Sequence, residues 1–377
     1  MLKTRKVVSS GLVALLAAAP LAACGDAPEE ETDTGNDTST SSSSAEPAVE
    51  DFLPCIVSDA GGFDDKSFNQ LGFEGAKQSA DELGGELKAV ESNSENDYGP
   101  NLESLGGEGC DVIVTVGFAL ASATKESASA NPDIEYVLID DSADGGEDGA
   151  TFDGKADVEN IKPLLYNTAE AAFLAGYAAA DYTKTGKVGT YGGLPFPTVT
   201  IFMDGFKQGA EYYAEENKKD VEVVGWDGKD GSFTGGFEAN EAATSTAKQI
   251  LDQDVDVILP VGGPIYQGAI TAIEDSGDDI AMIGVDADLY ETDPATQPYV
   301  MTSILKGMKV STYEAVLAAG KDEFDFAPYV GNLENDGVGV APFHDWEGKV
   351  SPELQGKLDE VKSGIIDGSI EVESYLG

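Results

Sequence analysis

The sequence predicts two α/β lobes, each built on a doubly wound, mostly parallel sheet. Three observations carry that reading. Short apolar runs alternate with helical patterns along the chain, several of those runs end in glycine or aspartate, and a body of roughly 325 residues is long for one core. The runs fall at 55–58, 86–90, 112–116, 136–139, 161–166, 188–191, 221–224, 257–261, 282–285 and 300–305.

The chain opens with Lys3, Arg5 and Lys6, an apolar stretch over 11–19, and small residues before Cys24. That order is an export signal, and the stretch is too short and too early for a permanent membrane span. Leu21-Ala22-Ala23-Cys24 resembles the bacterial lipobox, so residues 1–23 are expected to be removed and Cys24 to carry lipid. Residues 24–51 hold almost only small, acidic and hydroxylated side chains, a disordered tether between the anchor and the globular body.

The body starts with Pro54 to Gly75, which reads as strand, glycine turn and amphipathic helix. Gly61 and Gly62 permit the reversal, Asp64 or Asp65 can cap the helix, and Phe68, Leu71, Ala76 and Leu83 recur at helical spacing. In open α/β sheets ligands bind outside the carboxyl ends of the strands, which places Asp59, Phe68 and Asn69 where a small molecule meets the protein. An alternative reading leaves Asp59 to the turn's amides and Phe68 to the core.

Further strands end in Gly117-Phe118, Asp140-Asp141, Gly192-Gly193, Gly262-Gly263 and Asp286. Glycines let a ligand approach the backbone and aspartates accept its donors. The alternative is that α/β loops are glycine-rich in general. The helical pattern over 166–183 leads from the first lobe to the second, and the chain returns near 300–307. The expected division is 52–167 plus about 301–330 for the first lobe, and 168–300 plus about 331–377 for the second. Short strands are expected at 329–332, 338–341 and 370–372, with helices over 308–319 and 352–366. The Asp- and Gly-rich loop 142–157 lacks the spacing of a calcium loop and reads as a solvated insertion.

The formal net charge of −48 makes nucleic-acid binding an unsuitable function. Arg5 is the sole arginine, so the exported chain has no guanidinium fork for a carboxylate or phosphate. Cys55 and Cys110 each begin an apolar strand. These strands are neighbours in the usual α/β order, so a disulfide between them is expected in an oxidising compartment. One histidine, His344, and no thiol cluster leave a zinc or haem site without ligands, and neither a metal nor a cofactor is expected. His344 reads as a surface or packing residue.

Nearly the whole body resembles the basic membrane protein family of bacterial lipoproteins, purine-nucleoside receptors of ABC transporters. The resemblance rests on Asp59-Ala-Gly-Gly-Phe-Asp-Asp-Lys-Ser-Phe-Asn, Gly117-Phe118, Asp140, Phe173-Leu-Ala-Gly176, Gly192-Gly193, Gly231-Ser-Phe233, Gly262-Gly263, Gly284-Val-Asp286 and Ser303-Ile-Leu-Lys306. It implies a type I periplasmic-binding-protein fold with the ligand between the lobes. Phe68 and Phe233 would sandwich the base, Asp59 and Asp140 would help hold it, and Asp286 and Lys306 would bind ribose beside Gly262 or Gly263. Asn69, Gly117 and Phe118 complete the expected ligand-binding set. Implied partners are a purine nucleoside, permease and ATPase subunits, and the membrane through the lipid. The resemblance implies a monomer with no enzymatic activity. Pro264 and Pro195-Phe196-Pro197 depart from the family pattern. A sugar or autoinducer receptor of the same fold is the alternative. A nucleoside hydrolase is a further one, although its aspartate cluster needs an earlier aspartate where Val57 stands and one residue fewer before the Asp pair.

Overall fold

The computed structural model describes residues 52–145 and 155–376; Cys24, the export signal, the tether and residues 146–154 lie outside the described residues. The described residues belong to one compact unit carrying two six-stranded sheets.

The first half runs β1 (Pro54–Val57), α1 (Phe68–Glu82), β2 (Lys88–Val90), α2 (Tyr98–Gly107), β3 (Val112–Val116), α3 (Ala121–Ala130), β4 (Glu135–Ile139) and β5 (Ile161–Tyr166). Strands β1 and β3 are buried on both faces, which explains their unbroken apolar runs. The second half runs α4 (Thr168–Tyr182), β6 (Lys187–Gly192), α5 (Pro197–Asn217), β7 (Glu222–Val224), α6 (Glu241–Leu251), β8 (Val257–Val261), α7 (Tyr266–Ser276), β9 (Ala281–Asp286), the short α8 (Leu289–Thr292) and β10 (Val300–Lys306). Then come α9 (Met308–Gly320), β11 (Tyr329–Gly331), β12 (Val338–Val340) and α10 (Leu354–Ile366).

The first sheet has the order β11-β5-β4-β3-β1-β2 with every pair parallel; the second has β12-β10-β9-β8-β6-β7, with β12 antiparallel to β10. Each sheet changes winding direction beside its first strand. The crevices therefore open between the ends of β1 and β3 in one sheet and of β6 and β8 in the other.

Two expectations need correction. Residues 301–306 were assigned to the first lobe, but β10 pairs with β9 and β12 in the second sheet, so the return crossing falls at Gly307. Helix α9 then packs on α1, where a Cβ at Gly75 would lie 2.3 Å from the Lys309 carbonyl oxygen. The strand expected at 370–372 does not form. Ile370 instead turns back onto α10, its amide donating to the Gly364 carbonyl at 2.9 Å and its side chain covering that glycine.

Helix α4 is buried on nearly all sides. It meets α5 at backbone distance because Gly176, Gly205 and Gly209 face the partner helix; a Cβ at Gly209 would fall 1.9 Å from the Phe173 carbonyl oxygen. The Sγ atoms of Cys55 and Cys110 are bonded, joining β1 to the segment before β3.

Candidate functional site

The first lobe contributes the loop after β1. Asp65 caps α1 from outside, its carboxylate accepting from the amides of Ser67 (3.0 Å), Asn69 (2.8 Å) and Gln70 (3.1 Å). With the helix start fixed, Asn69 stands beside Asp59. Its Nδ2 donates to Asp59 Oδ1 at 2.7 Å and Asp65 Oδ2 at 3.1 Å, and its Oδ1 accepts from the Asp59 amide at 3.1 Å. Asn69 is buried and its amide is fully engaged, so its part in this site is to orient Asp59. Burial pushes the Asp59 carboxyl up to about 6, against the bonds from Gly61 and Asn69. Across the crevice, Gly117 (φ 111°) ends β3 with its α-carbon against Asp59 and the Phe68 ring; a Cβ there would lie 3.0 Å from Asp59 Oδ2. Glycine is thus required both by that backbone angle and by the close approach of the two side chains.

The second lobe contributes Asp286 and Lys306 from the ends of β9 and β10. Both are buried, as is Asp140 at the end of β4. Lys306 Nζ lies 2.5 Å from Asp140 Oδ2 and 3.7 Å from Asp286 Oδ1, and 5.1, 5.7 and 5.1 Å from the ring centres of Phe68, Tyr166 and Phe202. One ammonium therefore serves two carboxylates inside an aromatic cage. Burial raises the Asp140 carboxyl against the pull of Lys306, and raises Asp286 to about 6 against the same cation. Asp140 and Asp286 both have left-handed backbone, φ 72° and 66°, which turns the chain sharply off the strand.

Phe233 follows β7 on a segment bridged to Gly192; the Gly192 amide donates to the Ser232 carbonyl at 3.0 Å. Its ring packs against Gly192 and edge-on to Trp226, 6.2 Å between centres. Gly262 and Gly193 both face the ring of Phe237, and a Cβ would come within 2.7 and 2.3 Å of it. Gly262 thus makes room for a side chain of its own chain. Gly263 has open space around it and requires glycine through its φ of 51°.

The lobes touch across the site in three places. Lys306 pairs with Asp140, the Ser67 hydroxyl donates toward Val285 O (3.0 Å) and Asp286 Oδ2 (3.2 Å), and Phe118 stacks on Phe196 at 5.0 Å. Asp286 and Lys306 also line a cavity of about 560 Å³ that reaches Leu71 of α1, Val338 of β12 and Leu358 of α10. Its lining includes none of Asp59, Phe68, Asp140 or Phe233, so this cavity lies behind the carboxylate–lysine cluster and not between the two phenylalanines.

Sequence reasoning missed Ser67, Tyr166, Phe202, Phe196 and Phe237 as parts of the site, whereas Asp65 was expected as a cap. Phe237 alone carries a local signal, a second phenylalanine four residues past Phe233 behind Gly235-Gly236. His344 stacks on Tyr290 (4.1 Å) with Nε2 2.7 Å from Asp288 Oδ2, beside the site but outside it. Among the described residues no group of three or more His, Cys, Asp or Glu is placed to hold a metal ion.

Two doubly wound lobes meeting through their strand ends form the architecture of the solute-binding proteins that serve ABC transporters. A solved structure of such a protein from Aeropyrum pernix matches with a TM-score of 0.74 and 25% identity, over 86% of this chain and 94% of that one. The chain belongs to the family described as ABC transporter substrate-binding protein PnrA-like, whose model matches residues 53–374. Basic membrane protein A of Borreliella burgdorferi is 30% identical over 83% of this chain and 86% of its own length. The ABC transporter nucleoside-binding protein BmpA of Lactococcus lactis is 27% identical over 98% of this chain and 99% of its own.

Proposed function

We propose that the protein is a lipid-anchored, extracytoplasmic receptor of an ABC importer that captures purine nucleosides, guanosine, inosine and adenosine among them. The observation that carries this reading is the buried Asp140–Lys306–Asp286 cluster with the Phe68 ring 5.1 Å from Lys306 Nζ, and Phe233 of the other lobe, seated against Gly192, is read as the second face for a base. Base N–H groups and ribose hydroxyls are donors, which suits Asp59, Asp140 and Asp286, while Lys306 donates to a ribose oxygen. Stacking a base contributes about 1–3 kcal/mol per aromatic face. Two faces supply a large part of micromolar affinity, about −8 kcal/mol.

On this reading the solute enters between parted lobes and is held as they close, and no bond is broken. Cys24 carries the lipid, the tether holds a monomeric body off the membrane, and permease and ATPase subunits complete the importer. The name of the Lactococcus relative, a nucleoside-binding protein, supports the ligand class. Calorimetry with guanosine, inosine, adenosine and a panel of sugars tests it. Micromolar nucleoside binding without release of free base is expected; binding of sugars alone would assign the site to a sugar receptor, and stoichiometric base release to a hydrolase.

A further inference from the structure

Phe118 and Phe196 stack across the lobes with ring centres 5.0 Å apart and planes 29° from parallel. Phe237 extends the row, 6.0 Å from Phe196. All three are partly buried, and Phe196 and Phe237 pack at the margin of the core. Its mounts are stiff. Phe118 leads a short 3-10 turn closed by the Leu120 amide donating to the Gly117 carbonyl at 3.0 Å. Phe196 lies between Pro195 and Pro197, whose rings fix φ on both sides, and its carbonyl accepts from the Val199 and Thr200 amides at 2.9 Å each. Phe237 is seated against Gly193 and Gly262, neither of which has room for a Cβ.

One ring of the stack belongs to the turn after β3 of the first lobe and the other to the β6–α5 loop of the second, so the contact exists only when the lobes are together. We propose that Phe118, Phe196 and Phe237 form an aromatic clasp that holds the lobes closed over the captured solute and sets its residence time. This deepens the receptor reading and rests on it. A half-buried stack favours the closed state by about threefold to tenfold, acting on release and leaving entry through the open state unchanged.

The test is release of guanosine from wild type and from Phe118→Ala, Phe196→Ala and the double variant, followed by stopped-flow emission of Trp226, which packs on Phe233. Expected is a threefold to tenfold faster release in Phe196→Ala with association within twofold of wild type, faster release in Phe118→Ala, whose ring also belongs to the expected ligand-binding set and whose association therefore serves as no control, and a double variant no faster than the worse single one. Phe196→Leu, which keeps bulk and loses the stack, should release faster with an unchanged unfolding midpoint. Unchanged release in Phe196→Ala, or additive effects in the double variant, overturns the clasp. If wild type binds no guanosine, the nucleoside reading falls alone. Scattering of the ligand-free proteins then decides the clasp, with the alanine variants more expanded than wild type if it holds and identical if it does not.

Discussion

Replacing Lys306 by methionine removes the only cation within 4 Å of both Asp140 and Asp286 among the described residues, and does so inside a closed site. Breaking a buried ion pair by deleting one partner costs about 3–5 kcal/mol, because a charge remains without compensation. With an unfolding entropy near 2.1 cal/mol/K per residue over roughly 325 residues, that becomes a drop in Tm of about 4–7 °C at pH 7. The pH dependence gives the sharper test. Asp140 and Asp286 have folded-state values raised by burial, Asp286 to about 6. A raised carboxylate leaves stability intact below its unfolded value near 3.8 and withdraws it as pH climbs through the folded value. Without Lys306 both carboxyls rise further, so the loss should be largest at pH 7–8 and shrink toward pH 5, where the site protonates. Lys306→Met combined with Asp140→Asn should regain part of the loss at pH 7. Scanning calorimetry at pH 5, 6, 7 and 8 measures all of this. An equal drop at every pH, or no recovery in the double variant, refutes the idea that Lys306 is the compensating charge.

Cys24→Ala should move the protein from the membrane fraction to the soluble fraction, since stable attachment depends on buried acyl chains; wild-type protein found soluble would contradict the anchor. The Cys55–Cys110 bond spans a sequence separation of 55, so Cys55→Ser/Cys110→Ser should lose up to about 4 kcal/mol by urea titration. Two free thiols in the native wild-type body would show that the bridge does not form. Guanosine should bind at least tenfold more tightly than its 5′-monophosphate, because Asp59, Asp140 and Asp286 face one lysine and no arginine stands in the body. Equal affinities by calorimetry would mean that the 5′ end is not enclosed in the acidic cleft.

The strand ends were legible because glycine and aspartate close one apolar run after another, and Asp59, Phe68, Gly117, Asp140, Asp286 and Lys306 all lie at or just beyond the carboxyl ends of strands, where the two sheets face each other. The lobe to which β10 belongs was not legible. Its run VMTSIL suits either sheet, and only pairing with β9 and β12 decides. Asn69 reads from the sequence as a neighbour of the crevice, and its engagement with Asp59 and Asp65 follows a loop turned by the left-handed residue Lys66 (φ 60°), which no residue type announces. At Gly262 the structure adds Phe237 as a close neighbour, since a glycine reports that something comes close without saying what.

Because β11 completes the first sheet and β12 the second, neither sheet is a continuous piece of the polypeptide. During synthesis, β5 has left the ribosome long before its outer neighbour exists. The 162 residues between Tyr166 and Tyr329 take roughly 8–30 s to make at 5–20 residues per second. For that interval the free edge of β5 offers unpaired backbone groups beside Leu164 and Leu165, and the second sheet likewise waits for residues 338–340. The nascent chain therefore stays incompletely folded until almost all of it has emerged, a condition that suits threading through a translocation pore. Stalled chains ending before residue 329 should remain protease-sensitive throughout, whereas chains extended past residue 340 should acquire protection in both lobes together.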